Sequence, residues 1–373
     1  MVSPTNAIPD GTYDIGVRHD YVHDASRSSI KSRPGRTIPI SIFYPGSKTA
    51  NAQQLRYLDV FHPAEDAVLE HLLDSLDYDP SVKEALRNEA RNRVTQSFVD
   101  IPIANSKSPF PILLYSPGGE QHRFSNIPLF ESIVARGYII VTMDHPFEGV
   151  PTVDSDGVLC SQIADNDDFI EFTNQRVSDA RIVLDYITQL FKQPTYRERV
   201  NLEALGMFGH SRGGYVSTFT QIEDSRIKAV ANIDGFLYAY WTNDGTTGIN
   251  RWPAKTQEQL RASRVPFLRI KGSIGDLAVD EVFRNEAKDF SGDFHLVVLK
   301  DWSHNQFSTS SCFLKLSTQG EEASFFLIQN QKRVRELSSH LLTFFDRYLR
   351  NEPSLIEKEN RGTAHQRFRS ALP

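Results

Sequence analysis

The chain has 373 residues, enough for a domain with a large buried core. Its formal net charge of −6 argues against a general nucleic-acid binder, because such proteins carry a basic excess that neutralises phosphate. No run of about 18 apolar residues predicts a transmembrane segment, and the first sixteen residues lack the charged start and apolar block of a secretory signal. The two cysteines, Cys160 and Cys312, form no CxxC pair, so we expect a reduced, cytoplasmic setting.

The first third of the chain mixes strand and helix patterns. Ile38–Tyr44 alternates apolar and polar residues and predicts part of an antiparallel ribbon. Residues 59–100 predict a helical insertion, in which apolar residues recur at every fourth position: Val82, Leu86, Ala90, Val94 and Phe98. Such an insertion either packs on the edge of the sheet or caps the functional site, and the pattern leaves both options open.

The rest of the chain alternates apolar strands with helical patterns. Strands are predicted at 110–115, 138–143, 205–210, 227–233, 265–270 and 294–299. Helices are predicted from Ser125 or Asn126 to Gly137, over 169–191, from about Arg212, and over about 330–349. Continuous apolar strands separated by helices are typical of a mostly parallel sheet covered on both faces. The prediction is therefore a single α/β domain over 1–373.

A GxSxG motif, Gly209–Gly213, lies between a predicted strand and a predicted helix. That context favours a sharp turn that projects the hydroxyl of Ser211 away from the sheet, with glycines where neighbouring backbone comes close. A serine hydroxyl is a weak nucleophile unless a base accepts its proton and an acid orients that base. The motif therefore requires two partner side chains.

His304 is the candidate base, because it lies after the last predicted strand and before the final helix. Two acids compete. Asp234 follows the strand after the nucleophile helix, and Asp276 follows the next strand. Both preserve the chain order Ser–Asp–His, so the residues alone leave the choice open.

Backbone N–H groups must bind the oxyanion of such a reaction. One donor is expected from Arg212, the residue after the nucleophile. The other is expected from the Gly118-Gly119 pair after the 110–115 strand. Asp144-His145-Pro146 is expected to shape the loop beside this oxyanion site rather than to bind an ion, and His210 is interpreted as a motif neighbour that faces away from the nucleophile.

Six blocks of the chain resemble, in order, the platelet-activating-factor acetylhydrolase group of α/β hydrolases in its broad microbial and fungal form. They are Ile38–Gly46, Pro109–Gly119, Ala135–Gly149, Gly206–Gly214, Asn232–Phe236 and Trp302–Phe307. The resemblance implies the α/β-hydrolase fold, Ser211, Asp234 and His304 as catalytic residues, and Gly119 and Arg212 as oxyanion donors. It also implies cofactor-free hydrolysis of short acyl esters without a metal. Arg212 departs from the group, which usually has Phe or Leu at this position.

These inferences predict a serine carboxylic-ester hydrolase for a small-molecule ester, with no nucleic-acid partner and no cofactor. A second hypothesis keeps the catalytic residues but has a lactone, thioester or polyketide-like substrate, since the insertion and Arg212 would suit a bulky or anionic molecule. A third hypothesis, from another class, is a non-catalytic binding protein on a hydrolase scaffold.

Overall fold

A computed structural model describes most of the chain. The described residues are 13–27, 35–74, 78–119, 121–147, 151–157, 159–160, 169–235, 239–241, 247–249, 254–273, 290–308, 321–352 and 364–368. Asp276 and Cys312 lie outside these ranges, so the predictions that concern them are not addressed by the structure.

The strands are β1 Asp14–Asp24, β2 Arg36–Gly46, β3 Gln54–Arg56, β4 Val94–Val99, β5 Phe110–Ser116, β6 Ile139–Met143, β7 Thr152–Val153, β8 Leu159–Cys160, β9 Val200–His210, β10 Ile227–Ile233, β11 Ala239–Trp241, β12 Thr247–Ile249, β13 Phe267–Gly272, β14 Phe294–Leu299 and β15 Ala364–Phe368. The helices are α1 Glu65–Asp74, α2 Pro80–Asn92, α3 Ile127–Val134, α4 Phe169–Phe191, α5 Arg212–Glu223, α6 Ala254–Ala262 and α7 Glu321–Leu349. Two 3₁₀ turns lie at Asp59–Phe61 and His304–Phe307.

Within the described ranges, eleven strands form one sheet in the order β15-β14-β13-β10-β9-β5-β6-β2-β1-β4-β3. The six strands from β14 to β6 run parallel, whereas β15, β2 and β3 pair antiparallel with their neighbours. From β5 the chain first moves outward to β6 and then returns to β9 on the other side. This reversal makes the carboxyl ends of β5 and β9 the topological switch point, where open α/β sheets bind their ligands.

Helices cover both faces of the sheet, as continuous apolar strands require. On one face α1, α2, α3 and α7 contribute to a buried cluster that includes Leu69, Phe130 and Phe345. On the other face α4, α5 and α6 contribute to a second cluster that includes Leu184 and Phe219. The predicted mostly parallel α/β sheet is confirmed, and α7 begins at Glu321, nine residues before its predicted start at 330.

The helical prediction for residues 59–100 extends too far. The helices α1 and α2 end at Asp74 and Asn92, and Val94–Val99 is a strand that pairs parallel with β1 in the main sheet. Residues four apart share a face in a strand as well as in a helix, so the spacing could not separate the two. The side chain of Val94 is in fact exposed, and the buried side chains of this strand are Thr95 and Ser97.

None of the helices in the part of the chain that the structure describes is both long and apolar enough to span a membrane.

Candidate active site

Ser211 lies on a strained turn between β9 and α5. Its backbone angles are φ 54° and ψ −121°, in a region that side-chain-bearing residues rarely occupy and that is concentrated at functional sites. A Cβ on Gly209 would collide with the carbonyl of Gly213, and a Cβ on Gly213 would collide with the carbonyl of Ser116. The two motif glycines are therefore required by close backbone approach, as predicted.

The end of β10 holds this turn in place. The N–H of Ser211 donates to the carbonyl oxygen of Ile233 at 2.8 Å. Asp234, the next residue, also has a positive φ of 51°, and its N–H donates to the carbonyl of Ile270 at 2.7 Å. The serine and the aspartate are thus fixed relative to each other through the sheet.

His304 connects the two side chains. Its Nε2 lies 2.9 Å from Oγ of Ser211, and its Nδ1 lies 2.6 Å from Oδ2 of Asp234. The carboxylate can only accept, so Nδ1–H donates to Asp234 and Nε2 is left to accept the proton of the hydroxyl. The imidazole is 43% exposed, so a substrate can reach it.

The 3₁₀ turn His304–Phe307 presents this histidine. Ser303 and Gln306 close a reciprocal capping box, in which the N–H of Ser303 donates to Oε1 of Gln306 at 2.7 Å. Trp302 and Phe307 are buried on either side, with ring centroids 4.9 Å apart. Apolar contacts and a cap therefore fix His304 at the carboxyl end of β14.

Asp234 is ionised in this environment. Burial raises the pKa of this carboxyl, but the hydrogen bond from His304 and the charge of Arg269 outweigh burial, so the pKa lies below its ordinary value. The N–H of Gly272 also donates to its Oδ1 at 3.2 Å. A charged carboxylate on Nδ1 selects the tautomer that leaves Nε2 free of a proton.

The loop after β5 lies beside the nucleophile turn. Among the residues that the structure describes, no acceptor meets the N–H of Gly119. The side chain of Arg212 lies against the same loop, because its Cζ would be 3.5 Å from a Cβ on Gly119. Gly119 and Arg212, which the sequence predicts as oxyanion donors, are therefore neighbours next to Ser211.

The sequence interpretation missed the contact that His210 makes with the base. The imidazole of His210 is buried, its centroid lies 4.8 Å from that of His304, and its Nε2 lies 3.1 Å from the carbonyl oxygen of His304. Burial lowers the pKa of His210 to about 3, so this ring is neutral at physiological pH. It packs against the ring of His304 and does not contact the hydroxyl of Ser211.

A second serine–histidine–aspartate arrangement lies deeper in the molecule. Nε2 of His145 lies 2.9 Å from Oγ of Ser116, and its Nδ1 lies 2.8 Å from Oδ2 of Asp179 on α4. Asp179 also accepts two hydrogen bonds from Arg36, at 2.7 and 2.8 Å. All four side chains are buried, and Ser116 directly precedes the Pro117–Gly119 loop. The prediction that His145 shapes this loop agrees with its bond to Ser116.

In the described ranges, no group of three or more His, Cys, Asp or Glu side chains is placed to hold a metal ion. The side chains that converge on Ser211 are an imidazole and a carboxylate.

Comparison with known proteins identifies one curated relative. No protein-family model matches the chain. It is 29% identical over 255 residues to a protein of Arthroderma benhamiae described as a "probable 1-alkyl-2-acetylglycerophosphocholine esterase", and the match covers 64% of this chain and 61% of that protein. This similarity confirms the resemblance to the platelet-activating-factor acetylhydrolase group.

A solved structure shares the architecture. The ferulic acid esterase from Streptomyces cinnamoneus superposes with a TM-score of 0.69 over 96% of each chain, at 21% sequence identity. The chain therefore has the α/β-hydrolase fold, as predicted.

Proposed function

We propose that the chain is a serine carboxylic-ester hydrolase in which Ser211, His304 and Asp234 form the catalytic triad. The observation that carries the proposal is the continuous line of hydrogen bonds from Asp234 through His304 to Ser211, at 2.6 and 2.9 Å. It ends on a serine held at a strained φ of 54°, at the switch point of the sheet. The curated relative is described as an esterase, which supports the same chemistry.

The geometry supports an acyl-enzyme route. Oγ of Ser211 attacks the ester carbonyl carbon while its proton passes to Nε2 of His304, and the ionised Asp234 stabilises the imidazolium. The carbonyl oxygen becomes an oxyanion that the N–H groups of Gly119 and Arg212 bind. The C–O bond to the alcohol then breaks, and His304 returns the proton to the leaving oxygen.

Deacylation repeats these steps with water. Water replaces the alcohol, His304 removes its proton, and the hydroxide attacks the acyl carbonyl of the Ser211 ester. The same two N–H donors bind the second oxyanion, and the serine regains its proton as the carboxylic acid leaves. Each residue thus acts twice, and no cofactor is required.

We further propose a short-acyl, acetyl-type ester as the substrate. The printed name of the Arthroderma relative refers to a 2-acetyl ester, and this name supports a small acyl group. The side chain of Arg212 lies beside Gly119, so it borders the position proposed for the substrate's carbonyl.

The test compares p-nitrophenyl acetate, butyrate and octanoate with a δ-lactone and a thioacetate, using wild type and Ser211→Ala. We expect an initial burst of one p-nitrophenol per chain, a preference for acetate, and a fall in turnover of about 10⁴–10⁶ in the variant. Turnover of the acetate by Ser211→Ala at the wild-type rate would refute the proposed nucleophile. A preference for the lactone or the thioacetate would keep the triad and replace the ester substrate.

A further inference from the structure

One side chain outside the triad contacts the oxyanion loop from within the protein. The guanidinium of Arg176, on α4, donates from Nη1 to the carbonyl oxygen of Pro117 at 2.7 Å and from Nη2 to the carbonyl oxygen of Gly118 at 3.3 Å. Arg176 is 1% exposed, so both hydrogen bonds are made inside the protein. The buried guanidinium is therefore hydrogen-bonded to two successive backbone carbonyls of the loop.

The second of these carbonyls belongs to the peptide that carries a proposed oxyanion donor. The C=O of Gly118 and the N–H of Gly119 are parts of one planar trans peptide unit, so they point in opposite directions. Because Arg176 fixes the carbonyl on the buried side, the N–H of Gly119 must point to the other side. That side is the one where the described residues offer it no acceptor.

We propose that Arg176 is a positioning residue for the oxyanion site: by holding the carbonyls of Pro117 and Gly118, it aims the N–H of Gly119 at the substrate's carbonyl oxygen. This inference rests on the proposed function. The bond from a cation also withdraws electron density from the Gly118–Gly119 peptide, which strengthens the N–H as a donor. A donor fixed before the substrate arrives needs no reorganisation when the oxyanion forms.

Ser116, the residue before the Pro117–Gly119 loop, is also held by helix α4. The hydroxyl of Ser116 is hydrogen-bonded to His145, and His145 is held by Asp179, three residues from Arg176 on α4. The carbonyl of Ser116 lies where a Cβ on Gly213 would be, so the loop also packs on the nucleophile turn. Through Arg176, helix α4 thus orients the Gly118–Gly119 peptide. Through His145 and Ser116, it holds the end of strand β5.

The experiment compares Arg176→Met and Arg176→Lys with a control outside α4, an arginine in the turn before β10 that pairs with Asp185 on that helix. The control is Arg226→Met, which removes a half-buried guanidinium that bonds Asp224 and Asp185 near the amino end of β10, away from the loop. Steady-state constants for p-nitrophenyl acetate are measured together with inhibition by a methyl trifluoromethyl ketone, whose serine adduct carries an oxyanion in the same place.

We expect Arg176→Met to lower kcat by at least about tenfold, below the 10²–10³ loss typical of removing a donor, with KM changed less than about twofold. The inhibition constant of the ketone should rise by the same factor as kcat/KM falls. Arg176→Lys, which can reach one carbonyl, should fall between wild type and Arg176→Met. Arg226→Met should keep wild-type constants.

A purely structural role would lower the thermal midpoint without weakening binding of the ketone to the folded enzyme. Unchanged ketone inhibition in a folded Arg176 variant therefore overturns the proposal, and if Arg176→Met does not fold, Arg176→Lys decides by the same readout. The Ser211→Ala variant separates a failure of the proposed function from a failure of the proposed role of Arg176. An active Ser211→Ala refutes the proposed function, whereas an inactive Ser211→Ala beside unaffected Arg176 variants refutes only the role of Arg176.

Discussion

The molecule contains two serine–histidine–aspartate arrangements with nearly the same hydrogen-bond lengths. In the surface set, His304 lies 2.9 Å from Ser211 and 2.6 Å from Asp234. In the buried set, His145 lies 2.9 Å from Ser116 and 2.8 Å from Asp179. Three side chains at these distances are therefore insufficient to define a catalytic site.

The surroundings separate the two sets. Ser116 is fully buried in the regular strand β5, and its acid is already paired with Arg36. Ser211 lies on a strained turn, and its histidine is 43% exposed. From this comparison we expect the backbone conformation of the serine and access to the histidine to make the surface set reactive and the buried set structural. The predictions below change equivalent residues of the two sets, a third buried acid for comparison, or a residue that contacts the surface set.

The largest contrast is expected at the histidines. His304→Ala should lower kcat by about 10⁴–10⁶ because it removes the base, with little change in stability. His145→Ala should cost about 1–3 kcal/mol in the free energy of unfolding, since Ser116 and Asp179 each lose a buried partner. Esterase kinetics and urea unfolding of both variants check this. A kcat loss for His145→Ala as large as that for His304→Ala would remove the distinction.

The two aspartates should differ in the same way, one affecting turnover and the other the stability of the fold. Asp234→Asn should lower kcat by about 10⁴, because an amide no longer selects the reactive tautomer of His304. Asp179→Asn should instead destabilise the fold by about 3–5 kcal/mol, because it leaves the buried Arg36 without its carboxylate. Kinetics and unfolding are measured on both proteins, and a stable, inactive Asp179→Asn would reverse the assignment.

The destabilisation caused by Asp179→Asn should change with pH in a definite direction. Burial alone would raise the pKa of Asp179, but the charge of Arg36 and the hydrogen bond from His145 lower it well below its ordinary value. The stabilisation is therefore present above the unfolded pKa, about 4, and is lost as the pH falls. The difference in unfolding free energy between wild type and Asp179→Asn should shrink on acidification.

A third buried acid, Glu131, has neutral donors instead of a cation. Its Oε1 accepts from the N–H of Gln96 at 2.7 Å and from the hydroxyl of Ser97 at 2.8 Å. Burial raises the pKa of Glu131 to about 7, so the stabilisation is present below the unfolded pKa and is lost as the pH rises through 7. Relative to Glu131→Gln, wild type should lose about 3 kcal/mol between about pH 4 and pH 8. If the unfolding free energies of the two proteins changed in parallel with pH, the raised pKa of Glu131 would be contradicted.

The smallest effect is expected at His210, which contacts the surface set without belonging to it. His210→Phe keeps a ring against His304 but removes the bond from Nε2 to its carbonyl, 3.1 Å away. We expect kcat to fall by a few fold to about tenfold, because the bond is a single neutral one worth roughly 1 kcal/mol. A loss near that of His304→Ala would make His210 part of the reaction itself.

The elements around the site could be predicted because their patterns have a single interpretation. The helix Phe169–Phe191 and the strand Phe294–Leu299 have the predicted bounds, since a 3.6-residue apolar period and a short apolar run between turn signals each favour one structure. The strand–serine–helix junction followed from the need for glycines in a tight turn. These patterns predicted Ser211, His304 and two candidate acids, Asp234 and Asp276, at one edge of the sheet, and only the family resemblance favoured Asp234.

The buried polar residues could not be predicted from such patterns. Strand β4 turns Thr95 and Ser97 inward, where Ser97 meets Glu131, so its core face carries no apolar signal. Arg176 and Asp179 lie within an amphipathic helix and resemble surface residues in the sequence. Their partners are 58 and 34 residues away along the chain, and only the fold shows that these residues converge on the loop after β5.

The most direct test of the account is to map the site of reaction with a fluorophosphonate, which loses fluoride and phosphonylates the hydroxyl that a neighbouring base activates. Mass spectrometry of digested wild-type protein should find a single adduct, on the peptide that contains Ser211. The reaction should be absent in Ser211→Ala and at least about 10³-fold slower in His304→Ala. An adduct on Ser116, or labelling of Ser211 at an unchanged rate without His304, would contradict the claim that exposure and a strained turn make the surface set reactive.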